Sequence, residues 1–350
     1  MPAVRKQALF DSLPDEWPVD LLPTVQAQVA ASNRKIVVLD DDPTGTQTVH
    51  DVAVLTEWTV DALTGELSQP APCVYVLTNS RSLPLPAAQA LNTEIGHNLA
   101  AASAQTGRPF AVVSRSDSTL RGHYPGETDA LAAALEMAVD ATLVIPFFLE
   151  GGRFTINNIH YVAEGETLVP AAETPFAQDA AFGYRSSDLR AWVEEKSGGR
   201  VPAAAVATIT LDDIRTGGPA RVTEQLLALA GDAVCIVNAA SMRDLQVFVS
   251  GLLAAEAQGK CFLYRTAASF VQVRAGISPR PLLAADELQL PSSGGGLVVV
   301  GSYVPKTTGQ LAALLATPGI ASYEVRVANI LDNQMRQHEI SRAVQEIEQA

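Results

Sequence analysis

A chain of 350 residues that is 47% apolar and 18% charged can fill the cores of about two domains, which excludes a disordered tail or a small disulfide-stapled module. Its 38 acidic and 24 basic residues give a formal charge of −14, which repels phosphate backbones and anionic headgroups, so neither nucleic acid nor membrane is an expected partner. Cys73, Cys235 and Cys261 are widely spaced, and each lies in an apolar run, as thiols do in a reducing cytoplasm. No apolar stretch approaches the roughly 20 residues of a membrane span, and the first residues lack the apolar segment of a signal peptide, so a cytoplasmic protein is expected.

In chain order, residues 1–33 read as an N-terminal arm and helix. Short β-rich apolar runs follow at 35–40 (KIVVLD), 73–78, 110–114, 142–147, 205–210, 233–238 and 261–265, then at 297–302 (LVVVGS) and 323–327. Helical spacing separates them, as in Leu91, Ile95 and Leu99, in Leu131, Leu135 and Val139, and in Leu189, Trp192 and Val193. The alternation predicts an α/β fold of mainly parallel sheets flanked by helices in three layers, with strands apolar enough to be covered on both faces. Pro, Ser and Gly concentrate from Gly276 to Gly296, which predicts a linker between a domain over 34–275 and a second over 276–350. The last helical pattern, Ile340, Val344 and Ile347, reaches Ala350 without a Gly or Pro stop, so the second of two lobes is expected to be incomplete.

Polar residues gather just past the ends of these runs, where open α/β sheets bind ligands. The first ends in Asp40, Asp41 and Asp42, followed by Pro43, Thr44 and Gly45. Adjacent carboxylates repel one another, and Asn or Ser would cap a turn more cheaply. At least one aspartate is therefore expected to hold hydroxyls, accept a proton or bind Mg²⁺; the plainer alternative is one cap beside two solvated acids. The next two runs lead into Thr78-Asn79-Ser80-Arg81-Ser82 and into Ser114-Arg115-Ser116-Asp117-Ser118-Thr119-Leu120-Arg121-Gly122. Such a mixture suits a small ligand with several hydroxyls and an anionic end, because Ser, Thr and Asp pair hydroxyls while Arg grips a carboxylate with two N–H groups.

Beyond the fourth run, Gly151 and Gly152 permit a tight turn, and Asn157 or His160 is a candidate ligand contact. His160, between Ile159 and Tyr161, reads equally as a hydrogen-bonded structural histidine. The 297–302 run exits through Gly301, Ser302, Tyr303, Val304, Pro305, Lys306 and Thr307 into a helix, a combination that suits an anion but is not a Walker A loop, since Pro305 stands before Lys306. His338-Glu339-Ile340-Ser341-Arg342 has arginine where a zincin needs its second histidine, so the metal reading of this string fails. No G-x-G-x-x-G follows a strand and no G-x-S-x-G occurs, which argues against a nicotinamide-dependent oxidoreductase and an α/β-hydrolase.

The strings DDDPTGTQTVHDV, LTNSRS, SRSDSTLRGHYPGE, PFFLEGGRFTINNIHYV and GSYVPKTTGQL, in this order, resemble the four-carbon acid sugar kinase family from about Ile36 onward. The resemblance implies an N-terminal lobe that binds threonate, erythronate or a 3-oxo-tetronate, a C-terminal lobe that binds ATP, and phosphorylation of the acid's terminal hydroxyl with Mg²⁺. The family's acidic motif falls on Asp41, Asp42 and Thr44, its arginine motif on Arg81, its D-S-T-L-R-G string on Asp117 through Gly122, and the start of its nucleotide lobe on Gly301, Ser302 and Thr307, with Lys306 beside them. Arg81 and Arg121 would then neutralise the substrate carboxylate, Thr44, Ser118 and Thr119 would pair its hydroxyls, and Asp42 or Asp117 would accept the proton of the attacking hydroxyl, in a reaction dominated by positioning and cationic stabilisation. Family members carry a later G-G-D-T-type segment that this sequence lacks. The alternative is accordingly a sugar-acid-binding protein or kinase fragment without phosphoryl transfer, with a homodimer left open in either case.

Overall fold

The computed structural model describes residues 2–284, 286–288, 295–302 and 305–349. They fall into two units, Met1–Pro281 and Leu282–Ala350.

In the first unit, β1 (Val4–Arg5), α1 (Lys6–Phe10) and α2 (Leu22–Ser32) precede the KIVVLD strand, β2 (Lys35–Asp40). Strands and helices then alternate: β3 (Ala53–Leu55), α3 (Val60–Leu67), β4 (Cys73–Leu77), α4 (Leu85–Thr106), β5 (Phe110–Arg115), α5 (Gly126–Ala134) and β6 (Ala141–Ile145). Three antiparallel strands interrupt, β7 (Arg153–Ile156), β8 (Ile159–Glu164) and β9 (Thr167–Pro170). The alternation resumes with α6 (Leu189–Lys196), β10 (Ala207–Ile209), α7 (Leu211–Arg215), α8 (Gly218–Leu227), β11 (Ala233–Val237), α9 (Met242–Ala257), β12 (Phe262–Thr266) and α10 (Ala268–Arg274).

Among the described residues, eight strands form a parallel sheet in the order β10-β11-β6-β12-β5-β2-β4-β3. β2 lies inside it and is buried on both faces. Ile36 and Val38 pack with Val25 of α2, Phe248 of α9 and Phe270 of α10, while Val37 and Leu39 pack with Leu63 of α3 and Leu99 of α4. Two apolar faces explain why the run shows no alternation. The register sets Asp40 opposite both Leu77 of β4 and Arg115 of β5, so three strands end together and their loops leave from one rim. Backbone bonds join those loops: Arg81 N–H donates to the Asp41 carbonyl at 3.2 Å, and Asp41 N–H to the Arg115 carbonyl at 3.2 Å.

The second sheet, β1-β9-β8-β7, was not expected from the sequence. Its signal is Asn157-Asn158 between the apolar Ile156 and Ile159. Both asparagines take positive φ, 53° and 66°, as the two central residues of a tight hairpin require. The helix expected through Val139 stops at Ala134, and Glu136 takes a φ of 50°, so Val139 packs from a loop.

The second unit contains α11 (Pro305–Leu315), α12 (Val327–Leu331) and α13 (Arg336–Glu348). The strands expected at 297–302 and 323–327 are not formed: the first run and residues 323–326 are coil, and Val327 opens α12. Leu297 and Val299 are 79% and 83% exposed. A strand exists only within a ladder, and no described residue of this unit supplies one. Tyr303 and Val304, and residues 285 and 289–294 of the expected linker, lie outside the described residues. No described helix is long and apolar enough to cross a membrane.

One buried ion pair ties α9 to α10. Arg274 donates to Glu256 at 2.6 Å, and the Tyr264 hydroxyl of β12 donates to the same carboxylate. Glu256→Gln leaves the guanidinium buried and unmatched, so it should cost about 3–5 kcal/mol, read as a lower urea midpoint at unchanged slope. A loss below about 1 kcal/mol would contradict a structural role for the pair.

Candidate functional site

At the shared rim, arginines bridge the adjacent aspartates. Arg115 Nη2 donates to Asp40 Oδ1 and to Asp42 Oδ1, the latter at 3.0 Å. Arg81 Nη2 donates to Asp42 Oδ2, and Arg81 Nη1 lies 3.6 Å from Asp117 Oδ1. Thr44 N–H donates to Asp42 Oδ1 at 2.7 Å, and the Thr44 hydroxyl donates to the same oxygen. Asp117 accepts from the Thr119 hydroxyl and from Arg121 Nε at 2.7 Å; Arg121 Nη1 lies 3.7 Å from Asp179. Asp41 accepts from the Ser116 hydroxyl at Oδ2, and its Oδ1 is buried without a hydrogen-bond partner.

These surroundings pull the acids in opposite directions. Burial pushes Asp40 up to about 6 against the charge of Arg115. Burial also raises Asp41, although Arg81, Arg115 and Arg265 oppose it. Burial alone would raise Asp117 too, but its hydrogen bond to Arg121, with help from Thr119 and Arg81, holds it down at about 2.

The first unit thus brings Asp41, Asp42, Thr44, Arg81, Asp117, Thr119 and Arg121 into one connected cluster. Ser118 joins Asp42, Thr44, Arg115, Ser116 and Asp117 around a cavity of about 50 Å³. Gly122 takes a φ of 121°, and a Cβ there would stand 2.6 Å from Ser116 Oγ and 3.2 Å from Asp41 Oδ2, so only glycine fits this close approach. Gly45 is likewise required, since a Cβ would overlap the Asp40 carboxylate. A larger cavity of about 410 Å³, lined by Gln26, Asn33, Arg34 and Arg108, opens where β2 begins, at the opposite end of the sheet from this chemistry.

Sequence reasoning gave no individual role to two residues of the cluster. Arg115 is the bridge between Asp40 and Asp42, and its signal was an arginine at the end of an otherwise apolar strand. Arg265, buried at the end of β12, donates from Nη2 to the Arg121 carbonyl at 2.9 Å; an arginine closing the CFLYR run was the only hint.

Two expected ligand contacts are placed otherwise. His160 is fully buried; its Nε2 lies 2.7 Å from the Ser118 carbonyl and its Nδ1 3.0 Å from Thr155 Oγ1. The carbonyl fixes Nε2 as the donor, so both ring nitrogens are engaged and the side chain secures the Ser118 loop rather than meeting a ligand. Asn157 is exposed in the β7–β8 turn, and no hydrogen bond or ion pair joins it to the cluster among the described residues.

Within the second unit, Gly301 and Ser302 lie in exposed coil, and Lys306 and Thr307 in the first turn of α11. Beyond its chain neighbours, no described atom lies within 4 Å of where a Gly301 Cβ would stand, and Tyr303 and Val304, which join this coil to α11, lie outside the described residues. The aspartate trio does not fit a resident Mg²⁺ either. Its oxygens lie within 4.8 Å of one another, but Arg115 and Arg81 already neutralise Asp40 and Asp42.

A parallel sheet with ionic and hydroxyl groups gathered past its strand ends defines a ligand-binding α/β protein. Residues 36–274 match the sugar-binding N-terminal domain and residues 297–350 the nucleotide-binding C-terminal domain, and the chain belongs to the four-carbon acid sugar kinase family. It is 28% identical over 248 residues to a D-erythronate kinase of Heliobacterium modesticaldum, covering 69% of this chain and 51% of that protein. The chain thus spans about half the length of this curated relative. Among solved structures, a Bordetella bronchiseptica domain of unknown function, a domain-swapped dimer with bound citrate, superposes with a TM-score of 0.54 at 21% identity over 89% of this chain and 71% of that one. A Haemophilus influenzae protein gives 0.50 at 20% identity over 69% and 55%. These two likenesses show a shared fold.

Burial lowers His160 from its ordinary 6.5 to about 4. Between those values the unfolded chain binds a proton that the folded chain does not, so stability falls on acidification from about pH 6.5 to about pH 4, by at most about 1.4 kcal/mol per unit. His160→Gln removes this term: its stability deficit relative to the parent, measured by denaturation at several pH values, should narrow over that window. A deficit independent of pH would contradict a neutral, engaged imidazole.

Proposed function

We propose that the chain provides the acid-binding lobe, with part of the nucleotide lobe, of a kinase that phosphorylates the terminal hydroxyl of a four-carbon sugar acid of the threonate, erythronate or 3-oxo-tetronate type. The observation that supports it most is the rim, where carboxylates, hydroxyls and guanidinium groups gather past three strand ends beside a small cavity lined by Asp42, Thr44, Arg115, Asp117 and Ser118. Family membership and the erythronate kinase relative support the same class of reaction. MgATP is the second substrate and supplies the phosphoryl group. No step is assigned to Gly301, Ser302, Lys306 or Thr307.

The first-unit residues do the rest. Ser118 and Thr119 pair substrate hydroxyls, and Arg81 and Arg121 keep the rim cationic enough to hold an anion beside four aspartates. Attack on phosphorus requires the terminal hydroxyl to lose its proton to a group within reach. Asp42 and Asp117 both line the cavity. Asp117, held at about 2, orients Arg121, and we assign the acceptor role to Asp42, which lines the same cavity. Asp41, buried with one oxygen unpartnered, binds rather than reacts. Three free cysteines suit a cytoplasmic enzyme, and the Bordetella dimer suggests a homodimer.

A second reading is acid binding without phosphoryl transfer. The two separate in one experiment with the purified chain: erythronate or threonate should release ADP from MgATP, and Asp42→Asn should lower kcat by at least about 100-fold with little change in KM. A thermal shift by the acid with no ADP release would favour binding alone. An undiminished kcat in Asp42→Asn would remove Asp42 as the acceptor.

A further inference from the structure

A substrate carboxylate is held best by a guanidinium whose charge is not already matched, because displacing an internal ion pair offsets the gain. The rim arginines differ sharply in this respect. Arg115 is paired with Asp40 and Asp42, Arg81 with Asp42 and Asp117, and Arg121 with Asp117 and Asp179. Arg265 is enclosed at the end of β12, 4% exposed.

Arg153, the first residue of β7, is different. It has no carboxylate within 4 Å among the described residues, and its Nε, like those of Arg115 and Arg265, is buried without a hydrogen-bond partner. Its Nη1 donates to the nearby Gly151 carbonyl, which spends one N–H of five. The side chain is half-buried, so part of it remains within reach of a ligand. Its backbone is fixed to Phe148, with N–H and carbonyl bonded both ways at 2.8 and 3.1 Å, and Phe148 lines the same small cavity as Asp42, Asp117 and Ser118. The Phe176 ring serves as a common platform: the Arg153 guanidinium lies 5.6 Å and that of Arg121 5.2 Å from its centroid. Burial and the neighbouring charge of Arg121 lower the Arg153 pKa, while Asp117 opposes them; a bound anion would relieve that repulsion.

We infer that Arg153 receives the substrate carboxylate and so sets the preference for a sugar acid over a neutral sugar alcohol. This rests on the sugar-acid reading above and moves the anchoring role away from Arg81 and Arg121, which become internal partners of the aspartates. Phe176 restricts the guanidinium plane, and the engaged Arg121 contributes field rather than contact.

The test is calorimetric titration of the full chain with erythronate and threonate and with the corresponding uncharged polyols, erythritol and threitol. The parent chain should bind an acid well and its polyol weakly. Arg153→Gln should weaken acid binding roughly 10- to 100-fold and leave polyol binding unchanged, abolishing the preference, and Arg153→Lys should recover part of it. Acid affinity within twofold of the parent in Arg153→Gln would overturn the assignment, as would equal loss for acid and polyol, which marks a structural role. If Arg153→Gln does not fold, Arg153→Lys decides: parental acid affinity overturns the bidentate assignment, and a selective acid loss supports it. A parent chain that binds none of the four-carbon acids overturns the sugar-acid reading itself and this inference with it.

Discussion

Three carboxylates in a row at the end of a buried strand would drive one another apart without the Arg115 guanidinium. Arg115 sits opposite Asp40 in the β2–β5 register and reaches both Asp40 and Asp42, so the repulsion becomes a mutual ion-pair network. The cost of burying these charges falls only when every partner is in place. The rest of the rim follows from the same register. Because β2, β4 and β5 end together, Arg81 arrives from one side to hold Asp42, and the Asp117–Gly122 loop arrives from the other.

The electrostatic result is a division of labour among like residues. Asp117 is an ionised anchor for Arg121, Asp40 and Asp41 are lifted by burial, and Asp42 lies in the cavity wall with Thr44 bonded to it. Charges matched inside the protein fix geometry, whereas an unmatched one is left to recognise a ligand. By that criterion we read the arginines most visible in the sequence motifs as scaffold, and we propose Arg153, reached through an antiparallel hairpin outside the main sheet, as the group that meets an anion.

Much of this was legible in the chain. KIVVLD, CVYVLT and FAVVS read as doubly covered strands because their apolar residues serve two cores, and the polar strings after them marked the rim because ligands gather at strand ends. Side-chain partnership was not legible. Nothing in the order of residues shows that Arg115 spans two aspartates, that Arg265 reaches the Arg121 carbonyl from β12, or that both His160 nitrogens are spent on Ser118 and Thr155, since these contacts depend on tertiary register. LVVV at 297–300 shows the opposite failure: its local pattern is that of a strand, but a strand also needs neighbours, and pattern alone does not provide them.

The most direct test of the shared rim as the ligand site is a crystal structure of the chain with bound erythronate. The acid should lie among Asp42, Ser118 and Thr119, with its carboxylate toward Arg153 and its terminal hydroxyl toward Asp42. Erythronate bound instead in the cavity beside Arg34 and Arg108, at the opposite end of the sheet, would contradict the assignment of the rim as the place of recognition and of chemistry.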